Sequence, residues 1–141
     1  MHLIRTVLIA VTMLFAIPAV AGAQKSSSLL ERWYTALFDV NRVALTDLLA
    51  EDAKIELGDL EVIQTKKEFV EALDEWEEIA ATANFAWQLD PEAKIDDTTA
   101  TALVCYQFPE NELLIREAFT FEGGKIIHSV QTTVDESCDE F

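Results

Sequence analysis

The spacing of apolar residues changes once along this chain, and the change constrains the fold more than any other feature. In the first half, apolar side chains such as Leu30 and Trp33 recur every three to four residues, as on one face of an α-helix. From about residue 83 they alternate with polar ones, as at Phe85, Trp87 and Leu89, which is typical of a strand with one buried face. Helices followed by strands predict an α+β fold, with helices packed on one face of an antiparallel sheet.

Caps and turns divide the two halves into elements. Ser28 with Glu31, and Thr65 with Glu68, have the spacing of capping boxes, so each pair predicts the start of a helix. A short helix is predicted between these two, at 42–49, followed by a strand pair at 53–57 and 61–64. Further strands are predicted at 83–90, 98–108, 113–121 and 126–134, with Gly123-Gly124 as the last hairpin turn.

Residues 1–23 have the pattern of a secretory signal peptide. Arg5 precedes an apolar run at 7–17, and Ala21-Gly22-Ala23 forms a cleavage site of the A-x-A type. The run is shorter than the roughly 20 apolar residues that span a bilayer. We therefore expect cleavage before Gln24, export to the periplasm or the extracellular space, and a single mature domain of residues 24–141. An uncleaved membrane anchor is the alternative interpretation.

The chain is strongly acidic, with a net charge of −16 at pH 7 from 26 Asp and Glu against 10 Lys and Arg. Negative charge of this size repels the phosphates of nucleic acids and the headgroups of anionic lipids. The composition therefore argues against binding to nucleic acid and, after signal cleavage, against attachment to a membrane. A small-molecule ligand and a second copy of the chain remain as expected partners.

Cys105 and Cys138 are the only two cysteines of the chain. In an oxidising compartment such a pair more often forms a disulfide than two free thiols, and we expect the bridge. Spacing alone does not show that the two residues come within bridging distance, so free thiols remain the alternative. No Cys-x-x-Cys motif is present, and His128 is the one histidine left after signal cleavage, so neither a metal site nor a cofactor is predicted.

Three segments of the chain resemble the nuclear transport factor 2-like superfamily, which includes ketosteroid isomerases, scytalone dehydratase and SnoaL-like polyketide cyclases. These segments are residues 33–37, 48–56 and 119–126, and the resemblance extends over about residues 28–134. It implies a cone-shaped, strongly curved antiparallel sheet wrapped around three N-terminal helices, with a pocket open at one end. The matching patterns are those of a fold rather than of a reaction, so they leave the function open.

Glu117 interrupts an otherwise apolar strand face that contains Ile115 and Phe119. Burying an unpaired carboxylate is costly, so this side chain must be paired, protonated or placed at a wet cavity. A salt bridge at a pocket rim, or local exposure, is the structural interpretation. The resemblance to ketosteroid isomerases implies the functional one, in which Tyr34 and Glu117 are the hydrogen-bonding acids of an oxyanion hole.

The general base of a ketosteroid isomerase has no clear counterpart in this chain. The resemblance places that base at Leu57, whose alkyl side chain cannot accept a proton, and Asp59 lies two residues further on. His128 is the remaining candidate. A two-residue loop at Gly123-Gly124 would place it opposite Phe119 and beside Glu117.

A slip of one residue in this last hairpin would change which side chains face the pocket. His128 would then turn outward, and Ile127, Ser129 and Gln131 would turn inward. Both registers are compatible with the sequence.

Two functions follow as expectations. The first is an exported domain that binds a small apolar or amphipathic ligand, or that acts as an interaction module forming a homodimer through the sheet face. Trp33, Trp87 and Phe119 are its candidate ligand contacts, although aromatic residues of this kind more often form core. The alternative is a cofactor-free isomerase or lyase that uses Tyr34, Glu117 and His128.

Overall fold

The structure is a computed structural model that describes residues 18–141. Within this range the helices are α1 (Pro18–Phe38), α2 (Arg42–Leu48), α3 (Lys66–Glu71) and α4 (Leu73–Ala80). The strands are β1 (Leu49–Leu57), β2 (Val62–Thr65), β3 (Asn84–Leu89), β4 (Thr99–Gln107), β5 (Glu112–Glu122) and β6 (Lys125–Asp135), with a 3-10 turn at Gly58–Leu60. The apolar run of the predicted signal peptide lies outside the described residues. None of the described helices has the length and apolar character needed to cross a membrane.

The six strands form one open sheet in the order β2-β1-β6-β5-β4-β3, and the helices pack against one face of it. The predicted α+β cone is therefore confirmed. The sheet is mixed, however, because β1 and β6 run parallel while every other pair of neighbours is antiparallel. The prediction of an antiparallel sheet is wrong for this one pair. β1 and β6 are joined by most of the domain rather than by a hairpin, so no turn dictates their relative direction.

Two predicted helices have different ends in the structure. The predicted helix start at Ser28 is wrong, because Ser28 lies inside α1, whose described part extends back to Pro18. Ser26, inside α1, donates from Oγ to the backbone oxygen of Asp96 at 2.6 Å and so ties the helix to the segment before β4. The predicted third helix does begin with the capping box of Thr65 and Glu68.

The third helix is broken at Ala72 into α3 and α4. The break lies within a short apolar face. Phe69 comes before the break, and Leu73 and Trp76 come after it. All three side chains are turned toward the core of the cone. The helical layer therefore covers one part of the sheet with two short segments instead of one long rod.

The core lies between α1 and the concave face of the sheet. Leu30, Trp33 and Tyr34 of α1 are at most 2% exposed, and they face Ala102 and Val104 of β4, which are fully buried. Burial of these apolar surfaces is the main contribution to stability in a domain of this size.

Cys105 and Cys138 form the predicted disulfide, with their Cα atoms 5.8 Å apart. The bond joins β4 to the tail that follows β6. The backbone N–H of Cys138 also donates to Oε2 of Glu112 at 3.0 Å, so the tail is held to β5 as well. A covalent bond and a hydrogen bond thus fasten the C-terminus to the central strands.

Candidate functional site

A cavity of about 280 Å³ lies between the helices and the concave face of the sheet. This volume is near the lower end of the range for small-molecule sites, about 300–1,000 Å³. Five aromatic side chains line it: Trp33, Phe69, Trp76, Tyr106 and Phe108. The remaining wall is mainly aliphatic, so a molecule bound here would be surrounded mostly by apolar surface.

Besides the indoles of Trp33 and Trp76, four side chains with hydrogen-bonding groups line the cavity, and each comes from a different strand. They are Gln64 on β2, Tyr106 on β4, Glu117 on β5 and Gln131 on β6. On β4 and β5, alternation turns Tyr106 and Glu117 to the concave face together with apolar residues two positions away, such as Val104 and Ile115. Glu117 is the one carboxyl among the described lining residues, and no lysine, arginine or histidine of the described chain lines the cavity.

Both carboxyl oxygens of Glu117 accept hydrogen bonds. The hydroxyl of Tyr34 donates to Oε1 at 2.7 Å, and Nε2 of Gln131 donates to Oε2 at 3.1 Å. Glu117 is only 1% exposed, so these two neutral donors replace most of the water that would otherwise solvate the carboxyl. The buried hydroxyl of Ser129 is close to the same carboxyl but has no hydrogen-bond partner of good geometry.

Burial raises the pKa of Glu117, because the charged form loses its hydration; the hydrogen bonds from Tyr34 and Gln131 oppose this effect only in part. Burial also raises the pKa of Tyr34 and Tyr106, and negative charge on Glu117 raises both further. Both phenols therefore stay protonated near neutral pH and act as donors.

Tyr34 and Glu117 are brought together, as the resemblance implied, but Tyr34 does not line the cavity. Its ring lies behind Glu117, stacked on Trp87 with centroids 5.1 Å apart and edge-on to Phe119 at 6.0 Å. Trp87 and Phe119 are likewise absent from the cavity wall, so of the three predicted ligand contacts only Trp33 faces the cavity. Tyr34 is in a position to orient Glu117 rather than to touch a ligand.

His128 lies outside the cavity, because the last hairpin contains a bulge. Gly123-Gly124 forms the predicted two-residue turn, and Phe121 pairs with Ile126 as expected. The register then shifts by one residue, so that Thr120 rather than Phe119 pairs with His128. The predicted pairing of Phe119 with His128 is therefore wrong, and a dyad of Glu117 and His128 is not formed.

The bulge leaves His128 on the other face of the sheet. There its Nε2 is 3.1 Å from Oε2 of Glu56, with 43% of the histidine side chain exposed. Ser129 and Gln131 turn to the concave face, as the slipped register predicted. Ile127 does not, because it is the extra residue of the bulge, and Ile126 is buried instead.

The two residues considered for a general base are also separated. Leu57 lines the cavity, whereas Asp59 is exposed in the 3-10 turn. The carboxylate of Asp59 accepts a hydrogen bond from the backbone N–H of Thr133 at 2.6 Å, and this interaction with Thr133 lowers its pKa. Asp59 is thus a structural acceptor that fastens the turn to β6.

Sequence reasoning missed most of the cavity wall. The ring of Trp76 lines the cavity, while its indole N–H donates to the backbone oxygen of Leu37 at 2.8 Å. Tyr106 and Phe108 belong to the alternating pattern of β4, which indicates an inward face but not whether that face meets other side chains or empty space. Gln131 was predicted to face the pocket only in the slipped register of the last hairpin.

Solved structures with a similar fold were found, although no protein-family model and no curated protein matches the sequence. A candidate ketosteroid isomerase from Kribbella flavida superposes with a TM-score of 0.66 at 14% identity, covering 81% of each chain. The chain has the nuclear transport factor 2-like fold. A nuclear transport factor 2-like protein of unknown function from Burkholderia xenovorans superposes with a TM-score of 0.64 at 14% identity, covering 79% of this chain and 84% of that one.

An epoxide hydrolase from M. tuberculosis has the same fold, with a TM-score of 0.62 at 11% identity over 78% of this chain and 83% of that one. Structures with the nuclear transport factor 2-like fold thus include at least one enzyme and proteins whose function is unknown. At such low identity the likeness extends to the fold alone, and the chemistry must be argued from the cavity of this chain.

Proposed function

We propose that this chain is an exported protein that binds a small, mostly apolar molecule in the cavity and holds the polar group of that molecule at Glu117. The observation that carries the proposal is a single buried carboxyl on the wall of a cavity of about 280 Å³ that is otherwise mainly aromatic and aliphatic. Apolar walls supply affinity through the hydrophobic effect, and a few fixed polar groups supply orientation.

The polar groups of the cavity are well placed for orientation. Glu117 is held from behind by Tyr34 and from the side by Gln131, so its carboxyl has little freedom to rotate. A polar group whose neighbours already fix its position loses little entropy when a ligand binds. Gln64 has no hydrogen-bond partner among the described residues and offers both a donor and an acceptor at the β2 side of the cavity.

Export is supported by the signal-peptide pattern of residues 1–23 and by the disulfide between Cys105 and Cys138. Structural disulfides persist in oxidising compartments and are rare where thiols are kept reduced. A homodimer through the sheet face stays a prediction, and sedimentation velocity of the mature chain measures it.

The test of ligand binding is native mass spectrometry of the protein purified from the organism that makes it. We expect a complex heavier than the mature chain by the mass of one small molecule, which is released on denaturation. The Ala72→Leu variant, which adds bulk to the cavity wall, should retain less of this molecule than Ala81→Leu, in which the same change is made at an exposed site after α4. Equal retention by both variants would place the molecule elsewhere.

One observation favours a second function, that of an isomerase or lyase. Burial raises the pKa of Glu117 and so favours its protonated form, and a buried carboxylic acid can donate a proton and take it back. The co-purified molecule, incubated with the protein in D2O, should then gain deuterium at carbon, and Glu117→Gln should prevent this. No incorporation above the rate in buffer alone would leave ligand binding as the function.

A further inference from the structure

The ligand class can be inferred from what surrounds Glu117, on the basis of the proposed function of the cavity. We infer that the polar group of the bound molecule is cationic, an amine or ammonium seated between the carboxylate of Glu117 and the aromatic wall. Three properties of the described residues point to this class: the aromatic lining, the unpaired carboxyl and the charge around the cavity.

The five aromatic rings of the cavity wall form two groups in which neighbouring rings are in contact. The ring centroids of Trp33 and Phe69 are 5.4 Å apart, those of Trp76 and Tyr106 are 6.1 Å apart, and those of Tyr106 and Phe108 are 6.0 Å apart. The faces of such rings carry negative charge density and attract cations that come within about 6 Å of the centroid. Aliphatic side chains would serve equally well for an uncharged apolar ligand, so a wall of five aromatic residues favours a cation.

Glu117 has no positive partner among the described residues. The groups that face it are Tyr34 from α1, Tyr106 from β4, and Gln131 and Ser129 from β6, all of them uncharged near neutral pH, while α3 and α4 present only apolar and indole side chains. Because no positive charge compensates for the hydration that the carboxylate loses, burial raises the pKa of this carboxyl. A cation in the cavity would supply the absent partner and favour the charged form of Glu117.

The two hydrogen bonds to Glu117 also suit the charged form. Each of its oxygens accepts one bond, and a carboxylate is an acceptor at both oxygens. A protonated carboxyl would need an acceptor for its own proton, and in the hydrogen bonds of the structure both Tyr34 and Gln131 act as donors. The site is therefore arranged for a carboxylate that lacks only its counter-charge.

The negative charge around the cavity also favours a cationic ligand. α4 supplies Leu73 and Trp76 to the cavity wall, and its exposed side carries four acidic residues, Asp74, Glu75, Glu77 and Glu78. Arg42 pairs with two of them, Asp74 and Glu77, which leaves this helix with a net negative charge. The net charge of −16 on the whole chain adds to a field that attracts cations and repels anions.

The experiment compares three probes of similar size and different charge: benzylamine, which is protonated near neutral pH, benzyl alcohol and benzoate. Binding is measured by titration with NMR detection of the indole N–H resonances of Trp33 and Trp76. We expect the amine to bind at least about tenfold more tightly than the alcohol, since it gains both the ion pair and the cation–π contacts, and benzoate to bind most weakly.

A matched pair of variants then assigns the preference to Glu117. In Glu117→Gln, which keeps the size and hydrogen bonding of the side chain, the amine should bind within about twofold of the alcohol, because the ion pair is lost. Glu122→Gln removes an exposed carboxylate from the same strand and should keep the wild-type preference.

The outcomes separate this inference from the proposed function. Benzyl alcohol that binds as tightly as benzylamine to the wild type overturns the cationic ligand and leaves a neutral polar group at Glu117, with the binding function intact. If none of the three probes shifts either indole resonance, the cavity does not bind small molecules of this size and both fail. The comparison of the three probes on the wild type tests whether the ligand is cationic even if Glu117→Gln does not fold.

Discussion

The hydroxyl of Tyr34 donates a 2.7 Å hydrogen bond to Oε1 of Glu117, a residue 83 positions later in the chain. The bond joins α1, the longest helix described, to the middle of β5, and both groups are fully or almost fully buried. It holds the one carboxyl of the cavity wall in a defined orientation. Stability and ionisation are therefore coupled at this pair, and under the proposed function ligand binding is coupled to both.

Replacing Glu117 by Gln should change the pH dependence of stability. Because the folded state raises the pKa of this carboxyl, the wild type loses stability relative to Glu117→Gln as pH rises from the unfolded pKa, about 4, towards the higher folded pKa, and the total loss is about 1.4 kcal/mol for each unit by which folding raises the pKa. Below the unfolded pKa the carboxyl is protonated in both states and this cost is absent. Thermal melts of the two proteins across the range measure the difference. A wild type that instead gains stability over the variant with rising pH would show a stabilised, charged carboxylate in the empty protein.

The Tyr34→Phe variant should lose about 1–3 kcal/mol of unfolding free energy near neutral pH, since it leaves one oxygen of a buried carboxyl without its donor. Tyr106→Phe is the matched control. The hydroxyl of Tyr106 has no hydrogen-bond partner in the described part of the chain, so we expect a loss below about 0.5 kcal/mol. Urea denaturation of both variants provides the values, and equal losses would argue against a special role for the bond of Tyr34.

Removing the disulfide should destabilise the domain by about 3–4 kcal/mol, because the bridge closes a loop of 33 residues and so restricts the unfolded chain. The Cys105→Ala and Cys138→Ala double variant, compared with the oxidised wild type in urea, tests this. Thiol titration of the denatured, unreduced wild type is the control, and it should detect no free thiol. Two titratable thiols would mean that the bridge does not form in the purified protein.

A larger side chain in the cavity wall should weaken ligand binding with little change in the stability of the fold. Ala72→Leu is expected to weaken the binding of benzyl alcohol at least about tenfold while changing the free energy of unfolding by less than about 1.5 kcal/mol, since the added methyl groups enter free space. In Ala81→Leu, at an exposed position, the binding should stay at the wild-type level. Calorimetric titration of the two variants measures the affinities, and undiminished binding to Ala72→Leu would contradict the cavity as the site.

The mature protein should begin at Gln24, following cleavage after the small residues Ala21-Gly22-Ala23. Intact-mass measurement of the protein recovered from the periplasm or the medium tests this. In the structure residues 18–23 belong to α1, so cleavage shortens the helix but leaves Ser26 and its bond to Asp96. Recovery of a chain that retains residues 1–23 would support the anchor interpretation instead.

The sequence by itself determined the kinds of element and their order, because the apolar period differs between helices and strands whatever the tertiary context. It also marked Glu117, since a carboxyl in the middle of an apolar strand face stands out in any register. The disulfide followed from there being just two cysteines in a chain expected to be exported.

Only the tertiary structure decided the direction of β1 against β6, the bulge at Ile127 and the residues that line the cavity. A period of two is the same for parallel and antiparallel neighbours, and one inserted residue exchanges the faces of His128 and Ser129 without any local signal. A side chain that points into a cavity and one that points into packed core likewise produce the same pattern. The difference between Trp33, which lines the cavity, and Tyr34, which lies behind it, arises from how distant segments pack around an empty space, and no local pattern records that.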